Sequence, residues 1–328
     1  MKILYIYRHP DMGYSIGKVF HPIEEEMKKY AEVDSVFLPV SNYSLRGLWK
    51  NIRYARQHLK DKKYDIVHIT GTEHYLLPFL CDVKTVITIH DLGFFTNNRL
   101  NFRNVLKYCL WIKTLPFASY VTFISDKSKN ETLRFVKLKD NKNSVVLNPV
   151  GPEFVAYPKD INKLYPIILH IGIGSNKNLD STIIALKEFP CKLRIVGKLT
   201  DKQKFLLDLY NIHYECVFNL TDDEILHEYI NCDLVNFPSL YEGFGMPIIE
   251  GQAIGRLVLT SNISPTKEVA GNSAVLVNPT NPDNIRYGYK ILLDNAEDYI
   301  KKGFENVKRF ALSQISQEYF QIYKNVVK

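Results

Sequence analysis

The sequence predicts an α/β protein with two doubly wound, Rossmann-like parallel sheets. Short and nearly continuous apolar runs alternate with helical patterns along both halves of its 328 residues, as expected for parallel strands that are buried on both faces. The segments between consecutive runs are long enough for crossover helices. An irregular stretch with four prolines, residues 148–166, separates the two halves.

The strands are clearest in the second half. Apolar runs there predict strands at 165–173, 192–198, 214–220, 233–239, 256–262 and 274–279. The helices between them are predicted at 177–189, 201–211, 221–231, 246–255 and 264–271. Thr221 with Glu224 forms a capping-box pattern at one of these helix starts.

The first half repeats the pattern less regularly. Its predicted strands lie at 2–7, 34–40, 65–70, 84–90, 119–125 and 144–148. Its predicted helices lie near 17–31, 45–61, 101–115 and 127–138. Ser125 with Asp126 is typical of a helix cap.

Two domains and a tail follow from this alternation. We predict a first domain at residues 1–155, a second at 156–308 and an amphipathic helix at 309–328. The apolar face of that helix must pack on its own domain or cross back to the first. Ligands of open parallel sheets bind outside the carboxyl ends of the strands, and two facing sheets would form a cleft between the domains.

Composition is typical of a soluble globular protein. Hydrophobic residues make up 46% and charged residues 23% of the sequence, and no apolar run approaches the roughly 18 residues that a membrane-spanning helix needs. The start of the chain is typical of a first strand rather than a signal peptide. Five cysteines without a CxxC pair indicate a reducing cytoplasm and argue against a disulfide framework or a zinc site.

Positive charge is concentrated in the first half. Residues 1–150 contain 23 Lys and Arg against 14 Asp and Glu, a net charge of +9, whereas residues 151–328 contain 19 against 21, a net charge of −2. An anionic partner, such as a membrane surface or a phosphorylated acceptor, would fit this charge. A lysine-rich solvated face is the alternative.

Two basic segments of the first half also carry aromatic residues. They are residues 46–63, with Trp49 and Tyr54, and residues 99–113, with Phe102, Tyr108 and Trp111. Either segment could form a peripheral contact with an anionic membrane, and a buried helix face with a basic outer side is an equally good interpretation. No nucleic-acid-binding module is evident, so nucleic acid is not a predicted partner.

The stretch "SLYEGFGMPIIEGQA" places two carboxylates where a strand passes into a helix. Glu242 lies in the loop, and Glu250 lies about one turn inside the helix, after Pro247 in its first turn. Gly243 and Gly245 allow a tight turn and a close approach of a ligand to the backbone. A carboxylate can accept hydrogen bonds from neighbouring sugar hydroxyls. A solvated loop glutamate and a helix-dipole glutamate are the alternative.

The loop "GIGSNKN", residues 172–178, also follows a strand and opens a helix. A dinucleotide-binding loop needs G-x-G-x-x-G with an acidic residue after the next strand. Here Lys177 stands at the third glycine position and the next strand ends in Gly197 and Lys198, which argues against a dehydrogenase. Glycines with one lysine suit a diphosphate, because backbone N–H groups and a cation offset its charge.

These motifs resemble the donor site of the retaining, nucleotide-sugar-dependent glycosyltransferases of family 4, which have the GT-B fold. The resemblance is carried by "PSLYEGFGMPIIEGQAIGRLVLTSNISPTKEVAGNSAVLVNP" and, upstream, by "ILHIGIGSNKNLDSTIIAL", "LRIVGK" and "VFNLTDDEILHEYINCDLVNFPS". It extends over residues 145–295 and implies that the second domain binds the donor and the first the acceptor. Members that build bacterial surface polysaccharides are the most similar type.

The resemblance implies a role for each residue of the donor motifs. Glu242 would bind hydroxyls of the donor sugar, Lys177 the phosphates and Glu250 the ribose hydroxyls. The implied donor-binding set also includes Gly172, Gly174, Ser175, Asn176, Gly197, Lys198, Gly243, Phe244, Gly245 and Met246. The family often has an arginine earlier in the first of these loops, which this chain lacks. Ser175 and Asn176 are the candidate substitutes.

In the first half, His90 and Asp91 resemble the H-D pair that the family often has at this strand end. His90 would hydrogen-bond a sugar hydroxyl or assist proton movement, which makes it a candidate catalytic residue with Lys177 and Glu242. A satisfied histidine at a strand end is the alternative.

The first loop of the chain resembles a P-loop only superficially. Met12 and Val19 replace the glycine and the hydroxyl residue that a P-loop requires. Gly13, Ser15 and Gly17, together with Asp91, are candidates on the acceptor side by resemblance. No D-x-D motif occurs in the sequence, and the resemblance implies neither a metal nor another cofactor.

The predicted function is transfer of a sugar, a hexose by type, from a nucleoside diphosphate to an acceptor hydroxyl with retention of configuration. The acceptor would be a glycan or a lipid-linked glycan in polysaccharide, lipopolysaccharide or glycoconjugate synthesis. Three alternatives stay open: a sugar phosphorylase, a nucleotide-sugar epimerase and a non-catalytic donor-binding subunit. The last is motivated by the missing arginine.

Overall fold

The computed structural model describes residues 1–13, 15–93 and 102–328, and all of their side chains except those of Phe102 and Arg103. The chain forms two compact units.

The first unit combines Met1–Pro149 with Leu312–Lys328, and the second is Val150–Ala311. The breaks expected from the sequence, after residues 155 and 308, lie a few residues from these divisions. Each unit has one parallel sheet of six strands.

The sheet of the first unit confirms the six strands expected there. They are β1 (Lys2–Tyr7), β2 (Glu32–Phe37), β3 (Ile66–Ile69), β4 (Thr85–Ile89), β5 (Tyr120–Phe123) and β6 (Asn143–Val145). Their order across the sheet is β2-β1-β3-β4-β5-β6, and all pairs are parallel. The chain reverses direction of winding between β1 and β3, which makes this the switch point where open sheets bind ligands.

Five helices belong to the described part of the first unit. They are α1 (Ser15–Met27), α2 (Leu45–Asp61), α3 (Phe102–Lys107), α4 (Asp126–Leu133) and, at the far end of the chain, α12 (Leu312–Val327). The Ser125 side chain caps α4 in a capping box with Ser128, which confirms the expected cap.

Three helices of the first unit end earlier than the sequence suggests. Helix α1 ends at Met27, four residues before the predicted end near residue 31. Helix α4 ends five residues before the predicted end at residue 138, and Val136 and Leu138 pack against the core after the helix. Helix α3 passes at Tyr108 into a π-helical turn that ends at Ile112. Asn101, the expected first residue of α3, lies outside the described residues.

Helix α12 is held in the first unit by buried polar contacts. The Tyr323 hydroxyl lies 2.5 Å from His68 Nδ1 and 3.1 Å from the Tyr5 hydroxyl. The Tyr319 hydroxyl lies 3.3 Å from Thr88 Oγ1. Burial lowers the pKa of His68 to about 3, so its ring is neutral inside this cluster.

The second unit repeats the architecture and confirms its six expected strands. They are β7 (Ile167–Ile171), β8 (Lys192–Val196), β9 (Tyr214–Val217), β10 (Leu234–Phe237), β11 (Leu257–Ser261) and β12 (Val275–Val277). The order is β12-β11-β10-β7-β8-β9. The switch point therefore lies between β7 and β10, which are hydrogen-bonded neighbours.

Seven helices flank this second sheet. They are α5 (Leu179–Ala185), α6 (Asp201–Leu209), α7 (Asp222–Asn231), α8 (Met246–Ile254), α9 (Thr266–Ala270), α10 (Pro282–Asp294) and α11 (Ala296–Val307). Helices α10 and α11 lie where no element is predicted. The capping box of Thr221 and Glu224 at the start of α7 is confirmed. No helix among the described residues is both long and apolar enough to span a membrane.

Candidate functional site

The switch point of the second unit brings together the two loops that the sequence singles out. One loop follows β7 and the other follows β10. The Leu240 N–H donates to the Asn176 carbonyl oxygen over 2.7 Å, and Asn176 Nδ2 donates to the Tyr241 carbonyl oxygen over 3.2 Å. These bonds join the loops directly, so Asn176 has a structural contact in addition to any ligand role.

Lys177 and Glu242 form an ion pair at this edge of the sheet. Lys177 Nζ lies 2.6 Å from Glu242 Oε1, and the two side chains are 26% and 14% exposed. The ammonium also lies 4.9 Å from the centre of the Phe237 ring, a cation–π contact. The side chains expected to bind phosphate and sugar are therefore adjacent to each other.

Asn178, the residue after Lys177, joins this loop to two other segments and is not among the residues selected from the sequence. Its backbone adopts the left-handed region with φ of 64°, and its buried Nδ2 donates to the carbonyl oxygens of Pro238 and Pro279 at 2.9 and 2.6 Å. An asparagine in the first turn of the helix predicted at 177–189 was the available signal, since asparagine tolerates this conformation.

The backbone at Gly245 allows helix α8 to begin at the loop. Gly245 has φ of 128°, and a Cβ atom there would lie 2.9 Å from Ile248 Cδ1, so other residues are strained at this position. Pro247 lies in the first turn of α8, as expected. Phe244 is buried and packs edge-on against Phe310. The helix thus presents its amino-terminal N–H groups at the loop that carries Glu242.

Glu250 lies inside α8 and accepts a hydrogen bond from a buried tyrosine. The Tyr229 hydroxyl donates to Glu250 Oε2 over 2.5 Å. Burial, together with the charge of Glu250, raises the pKa of Tyr229 well above its ordinary value, so the hydroxyl remains a donor at neutral pH. Tyr229 therefore orients the carboxylate expected to bind ribose, and no local pattern in the sequence marks it.

The remaining donor-side candidates lie at the ends of β7 and β8 and in the loops that follow, and the Gly174 carbonyl oxygen accepts from the Lys177 N–H over 2.8 Å. Gly172 ends β7 with φ of 89° and faces the Lys177 stem. Gly174 and Ser175 are exposed in the same loop. Gly197 follows β8 and its carbonyl oxygen accepts from Cys216 Sγ. Lys198 is exposed.

In the first unit, His90 lies at the carboxyl end of β4. His90 Nε2 is 2.8 Å from the Thr70 carbonyl oxygen, so this nitrogen carries the proton and donates. Burial lowers the pKa of His90, partly opposed by the Thr70 hydrogen bond. A neutral ring with Nδ1 as acceptor suits hydrogen bonding to a sugar hydroxyl. Asp91 is exposed and its Oδ1 accepts from the Gly93 N–H, which gives it a turn-forming contact.

Arg8, which the sequence did not single out, connects the candidates of the first loop. Its Nη2 donates to the Gly13 carbonyl oxygen at 3.0 Å and lies 3.4 Å from Ser15 Oγ. Tyr14, between these two, lies outside the described residues. Gly17 lies in the first turns of α1, where a Cβ atom would be 3.1 Å from the His21 ring. Arg8 follows β1 and thus flanks the switch point.

Glu73 flanks the other side of that switch point and was not selected from the sequence. The side chain is only 2% exposed. The Thr72 hydroxyl donates to it over 3.1 Å and the Tyr43 hydroxyl lies 3.5 Å away. Burial raises the pKa of Glu73 to about 7, against the opposing effects of the Thr72 hydrogen bond and the Arg8 charge. A carboxylate just after β3 was the available signal.

Two family models match the chain and together cover most of it. The model described as "Glycosyl transferases group 1" matches residues 157–305, and "Glycosyltransferase Family 4" matches residues 18–154. The chain belongs to the group 1 glycosyl transferases. This confirms the family resemblance of the donor motifs.

Curated relatives of this glycosyltransferase include enzymes named for O-antigen synthesis. The serotype-specific mannosyltransferase WbdA of Escherichia coli is 26% identical over 232 residues, which cover 62% of this chain and 28% of WbdA. The chain thus matches little more than a quarter of that relative's length. The O-antigen chain mannosyltransferase B of Escherichia coli is 22% identical over 300 residues, which cover 81% of this chain and 76% of the relative.

Solved structures show the fold of the glycosyltransferase. Sucrose-phosphate synthase from Thermosynechococcus elongatus superposes with a TM-score of 0.82 at 17% identity, over 99% of this chain and 98% of that one. HepE from Anabaena, solved with UDP and glucose, gives a TM-score of 0.76 at 14% identity, over 99% of this chain and 100% of that one. With the two six-stranded sheets, these likenesses confirm the predicted GT-B fold.

The glycosyltransferase has no cluster of three or more potential metal ligands in the ranges 1–13, 15–93 and 102–328. Metal independence stays a prediction.

Proposed function

We propose that this glycosyltransferase transfers a hexose from a nucleoside-diphosphate sugar to a hydroxyl of a glycan or lipid-linked acceptor, with retention of configuration. The proposal includes a cytoplasmic location and a place in bacterial surface-polysaccharide synthesis. The observation that carries it is the pairing of Lys177 and Glu242 at the switch point of the second unit, beside the start of α8.

The proposed chemistry rests on stabilisation of the leaving group. Lys177 and the N–H groups at the start of α8 would offset the charge that develops on the departing diphosphate. Glu242 would hold hydroxyls of the transferred sugar, and Glu250 those of the ribose. These contacts orient the donor, which contributes to the rate by positioning.

Retention is proposed to occur on one face of the sugar. The bond from the anomeric carbon to the diphosphate breaks while a bond to the acceptor oxygen forms. The acceptor proton passes to an oxygen of the leaving diphosphate. The route needs no metal and no covalent enzyme intermediate, and we propose both features for this chain.

The names of the relatives support the substrate class. Two relatives are named mannosyltransferases, one of them for the O-antigen chain, and HepE was solved with UDP and glucose. A hexose is common to these names, and the HepE structure adds a nucleoside diphosphate. They do not agree on one sugar, so the proposal leaves the base and the sugar unassigned.

A thermal-shift panel tests the donor site. Wild-type protein is melted with UDP, GDP, ADP and their hexose conjugates, and one family of nucleotides is expected to raise the melting temperature. Lys177→Ala should abolish that rise, whereas Lys187→Ala, at an exposed lysine of the same unit, should keep it. No shift with any nucleotide would overturn the donor-site proposal.

Product analysis with the nucleotide so identified separates the remaining alternatives. A transferase releases free nucleoside diphosphate and forms a glycoside of unchanged anomeric configuration, which NMR can assign. An epimerase converts the donor sugar, and a phosphorylase requires phosphate. Binding without hydrolysis or transfer would favour a donor-binding subunit, the alternative that the missing arginine motivates.

A further inference from the structure

Helix α2 of the first unit divides into a buried stripe and an outer face. The stripe that contacts the core consists of Gly47, Leu48, Asn51, Ile52 and Ala55. On the outer face, Leu45 is 78% and Trp49 62% exposed. These two residues are four apart and therefore neighbours on the helix surface. The helix is thus fully packed without them, and the large apolar side chains remain in solvent.

Positive charge covers the same outer face. Arg46, Lys50, Arg53 and Lys60 are exposed, and the helix has no acidic residue before Asp61. Within the part of the chain that the structure describes, no carboxylate forms an ion pair with any of these four. No ion pair among the described residues therefore neutralises these four charges, whereas Arg56 on the same helix lies 3.7 Å from Asp82.

Phe79 extends the apolar part of this surface. Its carbonyl oxygen accepts from Arg56 Nη1 over 3.0 Å, and its ring is 38% exposed. A groove of about 660 Å³ runs between Phe79 and the helix, where Trp49, Arg53 and Lys60 line it. Aromatic and cationic side chains thus alternate along one continuous surface, which we call the α2 surface.

The α2 surface begins at the edge of the sheet that carries Arg8, Glu73 and His90. Helix α2 follows β2, so its first residues lie at the carboxyl edge of the parallel strands. Tyr43, two residues before the helix, lies within 3.5 Å of Thr72 and Glu73 at that edge. Leu45 and Trp49 lie at this end, and the far end of the helix is about 22 Å away.

We infer that the α2 surface docks the protein onto an anionic phospholipid bilayer. Lysine and arginine are attracted to anionic headgroups, and exposed indole and leucine side chains enter the boundary between headgroups and acyl chains. A soluble anion would use the charges but not the apolar residues. Docking at this end brings the candidate acceptor edge of the first unit to the lipid, where a lipid-linked acceptor would be presented.

The structure favours α2 over the second basic segment of the sequence. Trp111 in that segment is 7% exposed, and its Nε1 donates to the Thr72 carbonyl oxygen over 2.6 Å. Its indole is therefore part of the core. Residues 99–101 of the segment lie outside the described residues. The inference does not rest on the proposed transfer reaction, because vesicle binding is measured without donor or acceptor.

Vesicle flotation with matched variants tests the inference. The full chain is floated with phosphatidylcholine vesicles and with vesicles that also contain phosphatidylglycerol. Lys50→Glu with Arg53→Glu is compared with Lys290→Glu and Lys301→Glu on the second unit, which change the net charge equally. Trp49→Ser is compared with Tyr287→Ser, since these side chains are 62% and 61% exposed. Circular dichroism and melting temperatures verify that each variant is folded.

We expect wild type to bind only the anionic vesicles. The α2 charge variant should lose at least about 25-fold in partition coefficient, because each cation near an anionic bilayer contributes about fivefold. Trp49→Ser should weaken binding, and both second-unit controls should bind like wild type. The inference would be overturned if wild type bound both vesicle types equally or bound neither. It would also be overturned if the second-unit controls lost as much binding as the α2 variants. So would binding of single-stranded RNA through Lys50 and Arg53 without binding to anionic vesicles.

Discussion

At the residue scale, the ion pair of Lys177 and Glu242 is the group most directly tied to the proposed reaction. We expect Lys177→Ala to reduce kcat/KM at least about 100-fold, since a cation that stabilises a leaving group contributes about 3 kcal/mol to the transition state. The loss should appear in KM, because Lys177 also binds the phosphates of the donor, and in kcat. Steady-state kinetics with the identified donor measures it, with Lys187→Ala as the control. Unchanged kcat would remove Lys177 from the chemistry.

A second prediction at this scale concerns the buried carboxyl of Glu73. Its pKa is about 7 in the folded protein, above the ordinary range of a glutamic acid in an unfolded chain. The folded state therefore binds the proton more tightly, and this group lowers the free energy of unfolding as pH rises from about 4.5 to 7. Glu73→Gln removes the titration and keeps an acceptor for Thr72.

The unfolding free energy of Glu73→Gln should rise relative to that of wild type as the pH increases. Relative to wild type, the variant should gain about 2 kcal/mol in unfolding free energy between about pH 5 and pH 8. Urea unfolding followed by tryptophan fluorescence reports the first unit, because both tryptophans, Trp49 and Trp111, belong to it. Glu153→Gln, in the second unit, serves as the control. If the unfolding free energies of wild type and Glu73→Gln differ by the same amount at both pH values, the pKa of Glu73 is not raised.

At the element scale, helix α8 offers a comparison between its two ends. Gly245 and Gly255 both have positive φ, at 128° and 86°, and an added Cβ atom would lie 2.9 Å from Ile248 and 2.8 Å from Phe304. Alanine at either end should cost about 1–3 kcal/mol of stability. Only Gly245→Ala displaces the end beside Glu242, so only this variant should weaken donor binding by calorimetry. Equal effects on binding would mean that the turn at Gly245 has no special role.

The elements themselves were largely predictable. Every expected strand exists, because parallel strands buried on both faces are continuous apolar runs, as in Ile66–Ile69, where all four residues are buried. The helix ends were less predictable, since packing of Val136 and Leu138 against the core replaces the last turn expected for α4. Thr200 and Gln203 form a second capping box, at the start of α6, and have the same sequence pattern as Thr221 and Glu224.

At the scale of the whole molecule, helix α12 completes the first unit through buried hydroxyl groups. Tyr323→Phe would remove the hydroxyl that contacts His68 Nδ1 and the Tyr5 hydroxyl, so both of these buried polar atoms would lose that partner. We expect a loss of about 1–3 kcal/mol in the unfolding free energy of the first unit. Tryptophan-monitored urea unfolding measures this, with Tyr54→Phe at a surface position as the control. An unchanged free energy would mean that these hydroxyl contacts contribute nothing net.

Only those residues of the candidate site that stand at a recognisable place in the order of strands and helices were predictable. Lys177, Glu242 and Glu250 stand directly after strands or inside the helix that follows, so position alone selects them. Asn178 and Tyr229 make contacts between distant parts of the chain at this site. Asn178 contacts Pro279, 101 residues away, and Tyr229 contacts Glu250, 21 residues away. Contacts of this kind follow from tertiary packing, which one sequence does not display.

The division of the chain also imposes an order on its synthesis. The second unit is one uninterrupted segment, Val150–Ala311, whereas the first needs its last 17 residues, Leu312–Lys328, to be complete. On the ribosome, the segment that starts second is therefore the first to have all its residues. Until α12 emerges, His68 and Tyr5 lack a partner that is translated after the whole of the second unit. A nascent chain halted before α12 would offer chaperones and proteases an unfinished first unit beside a second unit with its full sequence.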